Sequence, residues 1–181
     1  MSPLRYKTAQ LKAFIATHFQ LYQLWRKVRH GGEIRQIGRQ LNSHIVELFH
    51  EPTPERIVQG FELTDHLLAA IRDTTSASGG HVAVVLLPLK VQLSDSVFAS
   101  FVQSAGVPAQ QMMIGKPQQM ITRIADSLGI PVIDLLPRFR QWTADSTAPL
   151  YLEWDGHWNE AGHRLAAEVV TEGLLRAGAV R

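Results

Sequence analysis

The stretch "HVAVVLLP", residues 81–88, decides the fold class, because Val82 to Leu87 are all apolar and rich in valine. A glycine precedes the run and a proline ends it, which predicts a short strand rather than a helix. An apolar run without alternation is typical of a strand that is buried on both faces, as in a parallel sheet. The stretch "IPVIDLLP", residues 130–137, repeats the pattern and predicts a second buried strand bounded by Pro131 and Pro137.

Helical patterns surround these two strands. Thr53 and Pro54 predict a helix start as N-cap and first helical residue, and Ser94 and Asn159 predict two further N-caps. "TTSASGG", residues 74–80, predicts a flexible connection. The predicted helices cover residues 8–29, 53–73, 93–106, 116–129 and 159–179, with a weak helix and loop at 138–149.

The resulting order, α–α–β–α–α–β–α–α, indicates α/β architecture with a parallel sheet. Two strands make a poor core by themselves. We therefore expect the chain to lack the N-terminal strands that form the first half of a doubly wound domain.

The composition fits a single domain over residues 1–181 and excludes several kinds of site. There are 18 Lys and Arg against 16 Asp and Glu, so the net charge is +2 and we expect no nucleic-acid partner. The absence of cysteine excludes disulfides, thiolate metal ligands and a cysteine nucleophile. The polar N-terminus "MSPLRYKTAQ" is unlike a signal peptide. No apolar run approaches the ~20 residues of a membrane-spanning helix, and the compartment stays open.

The chemistry of the sequence is concentrated in "YLEWDGHWNEAGHRLAAE", residues 151–168, where Asp155 and His157 flank Gly156. A carboxylate beside a histidine can fix its tautomer and stabilise the imidazolium that forms when the histidine takes a proton. Residues i and i+2 face apart in a helix but can meet in a turn, which Gly156 permits. On spacing alone three interpretations stay open: a catalytic pair, a polar turn that starts the last helix, and a metal site that adds His163.

The longer stretch "LYLEWDGHWNEAGHRLAAEVV", residues 150–170, resembles the last sequence block of SGNH/GDSL-type hydrolases. That block carries the Asp and His of a Ser-His-Asp triad as D-x-x-H or D-x-H, and Asp155 and His157 are the matching residues. "HVAVVLLPLKVQL" is similar to the family's central strand, which runs into the Pro-Leu-Lys segment of one subgroup. "LGIPVIDLLPRFR" is similar to the next strand, and "HFQLYQLWRKV" to an upstream helix.

The resemblance implies part of a flavodoxin-like three-layer α/β/α fold and an ester hydrolase or acyl (acetyl) transferase. In that chemistry a serine attacks the ester carbonyl, His157 takes its proton and Asp155 orients His157. The implied substrate is a small-molecule, carbohydrate or lipid ester, and neither a cofactor nor a metal is expected. Many members of the family are exported.

The chain departs from the family in its nucleophile, because no Gly-Asp-Ser block is present. We expect that block upstream of the first helix, together with the missing strands. The stretch "LSDSV", residues 93–97, is superficially similar to a Gly-Asp-Ser block, with Ser96 as the candidate nucleophile. However, Ser96 lies too far beyond the strand for a nucleophile turn. Ser94 is better interpreted as a helix cap.

We therefore expect a chain that is inactive alone and is completed by an N-terminal fragment or by a second copy that covers the exposed sheet edge. The alternative is a non-catalytic interaction module that completes its sheet with another chain. A nucleotide-binding domain is disfavoured, because no glycine-rich phosphate loop follows a strand.

Overall fold

The computed structural model describes residues 45–153 and 156–178. Its two strands are β1 (Val84–Leu86) and β2 (Val132–Asp134), and short 3-10 turns lie at Glu47–Phe49, Lys90–Gln92 and Ala109–Gln111. Its helices are α1 (Glu55–Ala77), α2 (Asp95–Ser104), α3 (Lys116–Ser127), α4 (Leu136–Asp145) and α5 (Glu160–Arg176). Over these residues the order of elements agrees with the predicted order. The predicted helix at 8–29 lies outside the described residues, so the single domain over residues 1–181 stays a prediction.

The two strands pair in parallel, with Val84 opposite Val132 and Leu86 opposite Asp134. The connection between them runs through α2 and α3, as a parallel pair requires a long crossover. Helices α3 and α5 both pack against β2. The predicted α/β architecture with a parallel sheet is confirmed.

Strand β1 differs from its prediction in burial, because Val84, Val85 and Leu86 are all only half-buried. Within residues 45–153 and 156–178, β1 pairs with β2 alone. A strand with a neighbour on one side leaves part of its surface open. The apolar pattern therefore predicted the element correctly but not its surroundings.

Two helix boundaries also differ from their predictions. Helix α1 begins at Glu55 with Pro54 at the N-cap position, and no side chain caps it, so the prediction of Thr53 as N-cap was wrong. The helix continues to Ala77 through part of the stretch predicted to be flexible. A local glycine cap ends it there, because Gly79 has a φ of 74° and the Gly80 N–H donates to the Thr75 carbonyl at 3.0 Å.

The second strand ends earlier than predicted. Pro137 lies in the first turn of α4 and does not bound the strand. Proline is tolerated there because the first turn of a helix needs no backbone donor. The predicted weak helix at 138–149 is therefore a helix that begins at Leu136.

The other predicted caps are confirmed. Ser94 Oγ accepts a hydrogen bond from the Val97 N–H at 3.3 Å at the start of α2. Asn159 Oδ1 accepts one from the Gly162 N–H at 3.0 Å at the start of α5. These side-chain caps satisfy backbone donors that have no partner within the helix.

The apolar side chains form two core clusters. One cluster joins residues 46–49 to α2 through Val46, Phe49, Phe98, Phe101 and Val102. The other joins β2, α4 and α5 and extends under the segment that follows α4; its members are Ile133, Leu135, Phe139, Leu150, Tyr151, Leu165, Ala166 and Val169. No helix in the part of the chain that the structure describes is long and apolar enough to cross a bilayer.

Candidate active site

The candidate site lies where the two parallel strands end. Leu86 and Asp134 are the paired last residues of β1 and β2. In open α/β sheets, ligands bind outside the carboxyl ends of the strands. The segment Leu87 to Leu89 leaves β1 at this end, and it supplies one wall of the site.

The other wall is a turn that carries His157. Tyr151 and Trp158 form an antiparallel bridge at its base. The Leu152 N–H donates to the His157 carbonyl at 2.9 Å, and the Asn159 N–H donates to the Leu150 carbonyl at 3.0 Å. His157 therefore lies at the end of a hydrogen-bonded turn, three residues before α5 begins at Glu160.

This turn, residues 151–158, is tied to the segment after β1 by two side chains. The Tyr151 hydroxyl donates to the Pro88 carbonyl at 2.5 Å, and Lys90 Nζ donates to the carbonyls of Leu152 and Glu153. Tyr151 is buried, and burial raises the pKa of its hydroxyl, while a hydrogen bond with the Trp158 side chain lowers it in part. The hydroxyl thus stays protonated at neutral pH and keeps its donor role.

The Trp158 ring fixes the end of the turn against the core. Its centroid lies 5.3 Å from that of Phe139, a buried ring on α4. The ring of His163, in the first turns of α5, lies 5.6 Å away in an edge-on orientation. Aromatic pairs at these separations and angles are favourable. His163 thus lies in the first turns of α5 and packs against the Trp158 ring.

Between the two walls is a pocket of about 370 Å³. His157 is exposed, so a molecule in the pocket can approach its ring. The pocket is lined by Leu87, Pro88, Leu89, Tyr151, Gly156, His157, Trp158 and His163.

The predicted site residues have different outcomes. His157 lines the pocket at the strand ends, whereas Asp155 lies outside the described residues, so their pairing stays a prediction. Ser96 is the second residue of α2, with its Oγ 3.3 Å from the capping Ser94 Oγ, and it does not line the pocket. None of the serines in residues 45–153 and 156–178 lines it.

The metal interpretation has no support among the described residues, which contain no group of three His, Asp or Glu side chains suited to hold an ion. His163 contacts the Trp158 ring instead. The predicted ligand set also included Asp155, which lies outside the described residues, so that set stays untested.

The carboxyl group of Asp134 stands at the same end of the sheet. Asp134 is half-buried at the end of β2, and burial raises the pKa of its carboxyl. A hydrogen bond from the Leu136 N–H to Oδ1, at 2.9 Å, offsets part of this effect. The bond ties the end of β2 to the start of α4.

Sequence reasoning missed Lys90 and Tyr151 as parts of the site. Tyr151 and Pro88 are 63 positions apart in the chain. The available signal was the Pro-Leu-Lys segment directly after the strand, because a lysine at a strand's carboxyl end is placed near the expected ligand site.

Comparison with known proteins identifies the family. The model of the SGNH hydrolase-like domain of the acetyltransferase AlgX matches residues 35–180. The chain belongs to this family. The SGNH resemblance drawn from the sequence is thereby confirmed, and with it the assignment of the chain to part of a flavodoxin-like α/β fold.

A solved structure supports the same fold. The O-acetyltransferase domain of Pseudomonas putida AlgJ is similar with a TM-score of 0.55 at 18% identity. The match covers 75% of this chain and 45% of that one, so the chain spans less than half of that structure. No curated protein matches the sequence.

Proposed function

We propose that this SGNH-like chain supplies the acid–base half of an acyl-transfer site, with His157 as general base and Asp155 as the carboxylate that orients it. The observation that carries the proposal is the position of His157. It lies on a hydrogen-bonded turn, exposed to a pocket at the carboxyl ends of the parallel strands. This is where α/β folds place their chemistry.

In the proposed reaction His157 takes a proton and gives it up once in each half-reaction, which makes four proton transfers. A serine hydroxyl attacks the acyl carbonyl of an ester, and His157 takes the serine proton as the new C–O bond forms. The tetrahedral intermediate then expels the donor alcohol, which receives that proton from His157. An acceptor hydroxyl attacks the acyl-serine, gives its proton to His157 and leaves as the new ester, and the serine regains the proton. Asp155 would stabilise the imidazolium in both halves.

The two walls of the pocket differ in chemical character. Leu87, Pro88 and Leu89 give one wall an apolar character, and the polar side chains of His157 and His163 lie on the other. The similar AlgJ structure is named for O-acetyl transfer, which favours acetyl as the acyl group. The acceptor is then a hydroxyl group, on a carbohydrate or a lipid.

The serine in this proposal comes from outside the described residues, since none of the described serines lines the pocket. The chain's own serines outside those residues are Ser2 and Ser43, and neither follows a Gly-Asp pair, so we expect the chain alone not to turn over esters. The test compares this chain with a longer expression product, in which the same reading frame is extended on both sides of residues 1–181. The acyl donor for both is p-nitrophenyl acetate. The release of p-nitrophenolate and the attachment of one acetyl group to the protein, by mass spectrometry, both report the first half-reaction. Release of more than one p-nitrophenolate per protein molecule reports the second, in which the acetyl group leaves the serine.

His157→Ala in the active product should lower kcat by at least ~100-fold, because a positioned general base contributes about 10²–10⁴-fold. His66→Ala is a matched control, since His66 is an exposed histidine on α1 that lies outside the pocket. Asp155→Asn should reduce kcat with little change in KM. Near-normal turnover by His157→Ala would contradict the proposal.

The edge of β1 that has no partner strand within residues 45–153 and 156–178 favours a second function. Strand β1 has one partner among the described strands and is half-buried throughout. An open edge can accept a strand from another chain. The chain would then be a non-catalytic module, and it would form a stable complex or a dimer at micromolar concentration in light scattering. A monomer that becomes an active enzyme when extended would contradict this alternative.

A further inference from the structure

Lys90 makes an unusual contact next to the candidate site. Its Nζ lies 3.2 Å from the Leu152 carbonyl oxygen and 3.3 Å from the Glu153 carbonyl oxygen. A lysine ammonium has three donors and no acceptor, and here two of them reach consecutive backbone carbonyls. These carbonyls belong to the turn that carries His157, whereas Lys90 belongs to the segment after β1.

Leu152 connects this contact to the candidate base. Its carbonyl accepts from Lys90, while its N–H donates to the His157 carbonyl at 2.9 Å. Glu153 precedes Asp155 by two residues in the sequence. The Lys90 ammonium group therefore contacts the part of the turn that precedes Asp155 in the sequence. The same part of the turn is hydrogen-bonded to the backbone of His157, the proposed base.

The contact has an electrostatic reason. Two neighbouring carbonyl oxygens that face the same point repel each other, and a cation between them removes this repulsion. Hydrogen bonds with a charged donor are also stronger than those between neutral groups. Because Lys90 is exposed, water weakens the attraction. The contact should thus control the local position of the turn more than the stability of the fold.

We propose that Lys90 is a positioning residue, whose ammonium group holds the turn of Asp155 and His157 against the end of β1 in the geometry needed for proton transfer. This inference rests on the proposed function for its catalytic consequence. Among residues 45–153 and 156–178, the Lys90 ammonium bonds to two backbone carbonyls of the turn, and the proposed role acts through that turn.

A second hydrogen bond between the turn and the segment after β1 allows Lys90 to be substituted without loss of the fold. The buried Tyr151 hydroxyl bonds to the Pro88 carbonyl at 2.5 Å. This contact anchors the base of the turn independently of Lys90. Lys90→Met should therefore leave the protein folded, with a change in the midpoint of thermal unfolding of no more than about 2 °C, and should loosen only the outer arm of the turn.

The first measurement is amide hydrogen exchange on the chain as it stands. Lys90→Met should speed exchange at the Leu152 N–H by about tenfold, because local opening there loses a charge-assisted contact. The Val84 and Leu135 amides, which bond within the sheet region, should not change. Lys90→Arg should restore protection to within about threefold, since the guanidinium also donates to two acceptors.

The matched control is Arg123→Met, which removes one exposed positive charge from α3. It should leave exchange in the turn unchanged. If Lys90→Met and Arg123→Met give the same exchange rate at Leu152, the contact does not hold the turn and the inference is wrong.

The second measurement is ester turnover in the active product. Lys90→Met should lower kcat by about 10–100-fold with KM nearly constant, because a displacement of about 1 Å in a catalytic group costs up to ~100-fold. Lys90→Arg should recover most of kcat. A KM effect alone, or no rescue by arginine, would overturn the positioning role.

The two proposals fail in different ways. If His157→Ala has no effect on turnover while Lys90→Met still loosens the turn, the proposed function is wrong but the contact of Lys90 is real. If His157→Ala abolishes turnover and Lys90→Met changes neither exchange nor kcat, only the inference about Lys90 is wrong.

Discussion

Gly162→Ala should destabilise the protein, although alanine is the better helix former. Gly162 is buried in the first turn of α5. A Cβ atom at this position would overlap the Leu150 carbonyl oxygen and would lie 2.9 Å from Trp158 Cβ. The Leu150 oxygen belongs to the backbone and accepts the Asn159 N–H at 3.0 Å. The overlap can therefore be relieved only by a movement of α5 or of the turn that carries His157.

The expected magnitude follows from three contributions. Overpacking a tight site costs about 1–3 kcal/mol, and a weakened backbone hydrogen bond adds ~1 kcal/mol. The gain in helix propensity from glycine to alanine is about 1 kcal/mol. The net loss of unfolding free energy is about 2 kcal/mol, which lowers the midpoint of thermal unfolding by about 4–8 °C for a chain of this size.

The control is the same substitution on another helix. Gly60 is exposed within α1, and no atom lies within 4 Å of where its Cβ would be. Gly60→Ala should therefore stabilise the protein by about 0.5–1 kcal/mol. Differential scanning calorimetry on the two variants should give shifts of opposite sign. If Gly162→Ala raises the midpoint as Gly60→Ala does, the close approach of α5 to Leu150 is wrong.

Two further predictions concern the core and the end of the sheet. Phe49→Ala should lower the free energy of unfolding in urea by about 3–5 kcal/mol, because the ring is fully buried and lies 5.1 Å edge-on from that of Phe98. Leu63→Ala, at a side chain that is 58% exposed, should lower it far less. Equal losses in the two variants would contradict the assigned core. Because burial raises the pKa of Asp134 above its ordinary 3.8, the folded state binds this proton more tightly than the unfolded chain. Ionisation of Asp134 therefore lowers stability as the pH rises above that value. Asp134→Asn keeps an oxygen that accepts the Leu136 N–H but does not ionise. The stability of the variant relative to wild type should therefore increase between about pH 3 and pH 7. A relative stability that falls over this range would refute the assigned direction of the pKa shift.

Much of the fold could be predicted because its signals are local. Ser94 and Asn159 cap helices as their side-chain chemistry predicts. Gly106 and Gly129 have φ values of 71° and 66° just after α2 and α3, a conformation in which glycine is favoured. The end of α1 has the same kind of local cap, because Gly79 has a φ of 74° and the Gly80 N–H donates to the Thr75 carbonyl at 3.0 Å. The prediction of a flexible connection from residue 74 onward was wrong in placing the helix end before this cap.

In the candidate site, a local sequence pattern could be predicted and a long-range contact could not. His157 was identified from a short pattern and from its resemblance to SGNH hydrolases, and it lines the pocket at the strand ends. Lys90 was noticed only as part of a Pro-Leu-Lys segment. Its contact with the turn joins residues 62 and 63 positions apart, and no periodicity in the sequence records such a distance.

By itself, then, the sequence determined the type and order of the elements, most helix caps and the candidate pair of Asp155 and His157. These features depend on neighbours within a few residues, so their physical causes lie within short segments. Only the tertiary structure decided that Lys90 and Tyr151 tie the turn of His157 to the end of β1, and that β1 is half-buried. Those properties depend on which distant segments pack together, and packing is settled by the whole set of buried contacts.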